Sequence, residues 1–165
     1  MNRSSSLLST DRLNHHGETM KTKLPLTLSC SLLMLASAVS TRAAEAMADD
    51  FIQLRQTPTF ALGQVGFIGH ISESEQRYRR ILQTPEAMEN FQRLLDDEAA
   101  TKEGRLYAAC AIRTLAPGQF EDGTSKLRAA GGTVSVLRAD ILRREPVQEH
   151  LQRIAQQGCN EAYWR

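Results

Sequence analysis

A mainly α-helical fold, a compact bundle of five or six short helices with room for a minor two-stranded β element, is what this 165-residue sequence predicts. Two observations carry that expectation. From residue 46 onward most apolar residues recur three and four positions apart, the period that gathers them on one side of a helix. The prolines at 58, 85, 117 and 146 and the glycine pair at 131–132 fall between those runs, where they end helices instead of interrupting them. With 41% hydrophobic and 24% charged residues, the composition is that of an ordinary globular domain and excludes wholesale disorder or fibrous repeats. A net charge of +1 supplies no field to draw in nucleic acid.

The first 46 residues are built differently. Leu24 to Val39 contains no charge, follows Lys21 and Lys23, and leads into the small-residue stretch Ser40 to Ala48. That order of basic, apolar and small residues is the order of a secretory signal peptide. Cleavage is expected after Ala46, within a window from Ala38 to Ala48. Met20 opens a compact leader of its own. Residues 1–19 then read as an extended or non-native start, 20–46 as the signal peptide and 47–165 as one helical domain. The alternative is a membrane anchor through residues 24–39, but that run is shorter than the ~20 apolar residues a spanning helix needs. Thr27 stands where a lipidation motif ahead of Cys30 would carry leucine. The expected destination is the periplasm or the extracellular space, with no stable membrane anchor after cleavage. Five basic and three acidic residues leave with the leader, so the remaining chain carries 15 against 16 and a net charge of −1.

Each element of the domain has its own signal. A first helix is expected from Ala46 to Gln56, with Met47, Phe51 and Leu54 on one side and Pro58 as its stop. Phe60 to His70 carries Gly63, Gly66 and Gly69 among apolar residues, too many glycines for a helix, and reads as an extended segment with bends. Ser72, with Glu75 three residues on, is a capping box opening a helix whose stripe is Tyr78, Ile81 and Leu82. Thr84-Pro85-Glu86 restarts the chain as a helix burying Met88, Phe91, Leu94 and Leu95. Arg105 to Ala116 is apolar nearly all round, which belongs at the centre of a bundle. A short helix from Phe120 ends at Gly131-Gly132, and Thr133 to Leu142 reads as a strand able to pair with the glycine-spaced segment. Pro146 begins the last helix, with Val147, Leu151, Ile154 and Ala155 inward and Gly158 as its stop.

The residues that could carry chemistry point away from catalysis. Cys110 and Cys159 are the pair left after leader removal, and in an exported protein they are expected to form a disulfide. No CxxC, HExxH or cysteine–histidine spacing is present, so neither a redox motif nor a metal or cofactor site is expected. The glycine-spaced loop runs into a helix start, but Glu73 and Glu75 would repel an anion there. Arg77, Arg79 and Arg80 lose their appearance of a basic patch once Glu73–Arg77 and Glu75–Arg79 are paired four apart; Glu89–Arg93 and Glu149–Arg153 repeat the spacing. Asp96-Asp97-Glu98 reads as a solvated linker. Ser72, His70 and Asp140 could be written as a hydrolytic set, although Ser72 is better explained as a cap.

What remains is a binding surface. Val65, Phe67 and Ile68 in the glycine-spaced loop, and Tyr163 and Trp164 in the tail, are the candidate contacts, although packing beside the disulfide is the favoured reading of the tail. The expectation is an exported, non-catalytic protein that binds a protein or another envelope component and no nucleic acid. The alternative is a small envelope hydrolase using His70 or His150 with carboxylates.

Overall fold

The computed structural model describes residues 30–160 and 163–164, with side chains for residues 42, 44–160 and 163–164. The lysines and first half of the expected leader lie outside them. Six helices and two antiparallel hairpins make up the described chain. The helices are α1 Cys30–Arg55, α2 Glu73–Leu82, α3 Ala87–Asp96, α4 Lys102–Leu115, α5 Phe120–Ala130 and α6 Val147–Gln157, with a 3₁₀ turn at Pro117–Gln119. The strands are β1 Gln64–Val65 with β2 His70–Ile71, and β3 Thr133–Arg138 with β4 Ile141–Pro146.

The expected first helix is the end of a longer one. Nothing between Cys30 and Arg55 is glycine or proline, and alanine, leucine and methionine are strong helix formers, so the helix has no reason to start at Ala46. No helix among the described residues is long and apolar enough to cross a membrane. Leu54 is buried, while Met47 and Phe51 pack at the margin of the core.

α4 is the central post. Glu103 through Ile112 are all buried, and α1, α2, α3, α5 and α6 pack around it. Its start holds the end of α1: the backbone N–H and the hydroxyl of Thr101 both donate to the Arg55 carbonyl, at 3.0 and 3.2 Å. Backbones touch there because residue 104 is glycine. A Cβ at Gly104 would stand 2.6 Å from the Leu54 carbonyl oxygen, and backbone cannot swing aside as a side chain can. Gly104→Ala is therefore expected to cost roughly 2 kcal/mol, despite alanine's better helix propensity, read as a lower urea midpoint at unchanged slope. On the opposite side Arg105 donates its Nε–H to the Leu95 carbonyl at 2.8 Å, closing the end of α3.

A run of aromatic rings joins the helices to the hairpins. Phe91, Tyr78, Tyr107, Phe60 and Tyr163 follow one another at centroid distances of 4.9 to 5.8 Å, inside the range of favourable tilted and edge contacts. Phe60 is also where the extended segment meets β3: its N–H donates to Ser135 O and its carbonyl accepts from Leu137 N–H. Residues 60–65 then run parallel to 136–139, bridging at Phe60 with Val136 and at Val65 with Ala139.

The second hairpin corrects the sequence reading. Thr133 to Leu142 is not one strand but β3, a two-residue turn and the start of β4. Ala139 takes φ 54° in that turn, a left-handed conformation usually left to glycine or asparagine, and so no turn residue announces it. The Gly66 N–H donating to Ala139 O at 2.8 Å helps hold it.

Four charge pairs were expected on helix faces, and two form. Glu73–Arg77 and Glu75–Arg79 meet at 3.0 and 2.6 Å. Arg93 instead lies 4.6 Å over the Phe51 ring, and Arg153 lies 5.5 Å over both Tyr163 and Trp164. A guanidinium gains more over a half-buried ring than from an exposed carboxylate that water already solvates. Arg80 takes Asp50 of α1 in a two-pronged pair and holds that carboxyl below its ordinary range. Asp97, read as linker, pairs with Arg55 at 2.5 Å, and Asp96 with Lys126 at 2.7 Å.

Candidate functional site

Ser72 is the cap the sequence predicts: its Oγ accepts from Glu75 N–H at 3.2 Å. Glu75 does not reach back to complete the box. Its buried carboxylate accepts from Gly63 N–H at 2.7 Å and from Arg79, so it ties the glycine-spaced segment to α2. It lines an open groove of about 630 Å³ beside Cys159 and Trp164, and it enters that groove with its oxygens already occupied. Among the described residues no hydrogen bond joins Ser72, His70 and Asp140 into a hydrolytic set, and the Ser72 oxygen serves as the cap. His70 and Asp140 are exposed, one opposite Val65 in the first hairpin and the other in the turn of the second.

Cys110 and Cys159 are joined by a disulfide, with Cα atoms 5.5 Å apart. It clasps the C-terminal turn to α4. Beyond it Tyr163 is buried, and Trp164 is half-buried with its Nε1–H donating to Leu62 O at 2.8 Å. The tail is packed against its own chain. Tyr163 therefore leaves the candidate contact set.

His150 lies in the last helix, and its burial is what the sequence reading did not foresee. It shares the inward side of α6 with Val147, Leu151 and Ile154, at the helical spacing that could have revealed it, and it is fully buried. Nδ1 is 2.6 Å from the Tyr163 hydroxyl. Nε2 is 3.0 Å from Glu145 Oε2, a charge contact off the line a hydrogen bond needs. The carboxylate favours the proton on Nε2, which leaves Nδ1 to accept from Tyr163 O–H. Burial is the largest influence and holds the imidazole below its ordinary pKa, against the pull of Glu145, with Arg153 adding to the lowering. A group protonated less readily folded than unfolded stabilises fully above its unfolded pKa of about 6.5 and progressively less below it. Unfolding free energy is expected to fall below pH 6.5 by up to about 1.4 kcal/mol per pH unit, a slope that His150→Gln removes. Urea titrations of the two proteins across that range check it.

With both ring nitrogens faced by protein groups and no exposed surface, His150 has no nitrogen to offer a substrate. The open side of the molecule is elsewhere. Phe67 and Ile68 are 101% and 86% exposed, and Ile141 and Leu142 are 50% and 60% exposed. Val65, placed with Phe67 and Ile68 as a contact, is buried against Ala139, because alternation in β1 turns it inward. Residues 66–69 form the turn of the first hairpin, closed by Gly69 N–H on Gly66 O at 3.1 Å, with Gly66 and Gly69 at φ 73° and 67°. Since 60–65 and 136–139 run side by side in one direction, both turns come out at the same end of the molecule. Ile141 and Leu142 belong to that end and were not among the sequence candidates.

Comparison with family models, with curated proteins and with solved structures yields no match. The functional reading rests on the chain's own geometry. Among the described residues, no group of three or more histidines, cysteines or carboxylates is placed to hold a metal ion.

Proposed function

We propose that the protein is an exported, non-catalytic binding protein of the cell envelope, and that it engages its target through the end built from the two hairpin turns. The observation that carries this is the clustering of apolar exposure. Six large hydrophobic side chains are exposed among the described residues, and four of them, Phe67, Ile68, Ile141 and Leu142, lie in or next to the two turns that the Gly66 N–H links through Ala139 O. Exposed apolar side chains grouped at one end mark an interaction surface more often than scattered single residues do. The leader pattern of Lys21, Lys23 and residues 24–39 supports export, and the disulfide suits an oxidising compartment. The hydrolase reading has the His150–Glu145 contact in its favour, but that contact is enclosed.

The test is made in the cell. A photo-crosslinking residue at position 68 is expected to give a discrete adduct in the envelope fraction, while one at the exposed position 115 gives none. The recovered chain should begin between residues 39 and 49. Equal labelling from both positions, or a full-length chain in the cytosol, would overturn the reading.

A further inference from the structure

We infer that the target of this end is an anionic membrane surface, an inference that rests on the binding reading above and names its partner. The shape of the end is the first reason. Phe67 and Ile68 project from a turn with no wall beside them, and Ile141 and Leu142 come from a separate turn bridged to it through Gly66 and Ala139. This surface is convex. A fluid acyl boundary receives such an end without a complementary pocket, as it receives the apolar side of an interfacial helix.

Charge is the second reason. Arg138 faces Ile141 across the hairpin, Arg143 lies two residues further along β4 and Arg144 three. At about 3.3 Å per strand residue, Arg143 and Arg144 stand roughly 7 and 10 Å behind the apolar end, the depth separating headgroup phosphates from the acyl boundary. Among the described residues none of the three is neutralised by an acid. Arg138 stacks over Trp164 and donates to its carbonyl, Arg144 donates to the Thr133 and Ser135 hydroxyls, and Arg143 has no partner among the described residues. The chain's balanced net charge conceals this local excess.

Two features limit the depth. Asp140 sits exposed in the β3–β4 turn. On the outer edge of β4 the backbone groups of Leu142 and Arg144 have no partner among the described residues. Their opposites Leu137 and Ser135 turn their own backbone groups the other way, to Phe60. Unpaired peptide groups are tolerated among headgroups and not in hydrocarbon. The docking is therefore interfacial. An extended protein segment adding to that edge is the competing occupant, and it has no use for the wholly exposed Phe67 and Ile68.

Full-length Phe67→Trp and Leu115→Trp proteins, both retaining Trp164 and the leader, are titrated with vesicles of phosphatidylglycerol and phosphatidylcholine containing brominated acyl chains, and with phosphatidylcholine alone. The Phe67→Trp fluorophore is expected to shift to the blue and be quenched on the anionic vesicles, and the Leu115→Trp fluorophore is not. Arg143→Gln should weaken the apparent vesicle affinity about fivefold, and Phe67→Ser with Ile68→Ser tenfold or more, at roughly one surface charge or one apolar anchor each. Quenching at neither position, or equally at both, overturns the inference. Should position 67 stay silent on vesicles while position 68 crosslinks a protein in cells, the lipid inference falls and the binding reading stands. Silence in both experiments removes both.

Discussion

Reducing the Cys110–Cys159 disulfide is expected to lower stability by about 4 kcal/mol and the melting temperature by roughly 15 °C. The bond closes a loop of 49 residues, and the chain-entropy cost of leaving such a loop open sets that magnitude. Its position makes the loss local as well as global. Cys110 is fully buried in α4, the helix on which the others pack, and Cys159 follows the Gly158 that ends α6. The Tyr163–Trp164 turn beyond it carries the His150 contact and the Trp164 hydrogen bond to Leu62. The near-ultraviolet dichroism of Trp164 should therefore fade at a lower temperature than the helical signal in the reduced protein, while the two coincide in the oxidised one. Cys110→Ala with Cys159→Ala should behave as the reduced protein. A melting temperature indifferent to reductant would show that packing alone secures the C-terminal turn.

The helical part of this fold was legible because helix signals are local and redundant. Ser72 caps α2, Gly158 ends α6, the apolar stripes of α2 and α3 lie inward, and α4, apolar nearly all round, sits at the centre. The hairpins were legible only in part. Gly66 and Gly69 announced bends but not that β1 and β2 pair across them. Ala139 occupies a turn position where no sequence rule looks for alanine, so β4 went unseen, and Ile141 and Leu142 with it. The candidate site shares that limit. Phe67 and Ile68 could be read as an exposed strip, whereas the juxtaposition of two turns depends on a parallel bridge between residues more than 70 positions apart in sequence, Phe60 with Val136 and Val65 with Ala139. The arginines illustrate the same point. Spacing finds a carboxylate four residues away, but only the folded chain reveals that Arg93 and Arg153 have aromatic rings to lie on.

Tyr107→Phe is expected to cost about 3 kcal/mol, a large effect for the loss of one oxygen atom. The hydroxyl of Tyr107 works as a piece of backbone: it accepts from Ala61 N–H at 2.9 Å and donates to Ala61 O at 2.7 Å, with all of these atoms buried. Ala61 lies between Phe60, which pairs with β3, and Leu62, which accepts from Trp164, so this hydroxyl fastens the segment leading to the first hairpin onto α4. Phenylalanine keeps the ring contacts with Phe60 and Tyr78 and leaves a buried donor and a buried acceptor without partners, each worth about 1–3 kcal/mol. Tyr78→Phe is the internal comparison. Burial pushes the Tyr78 hydroxyl up to about 12, with Thr114 pulling the other way, and the Thr114 O–H itself donates to Cys110 O. Losing the Tyr78 hydroxyl orphans no donor, and the cost should stay near 1 kcal/mol or about one ordinary hydrogen bond. Urea unfolding of the two variants at equal slope measures both. Equal losses would mean that the Ala61 groups find water once the hydroxyl is gone. The segment carrying Phe67 and Ile68 would then be held by its pairing with β3 and not by α4.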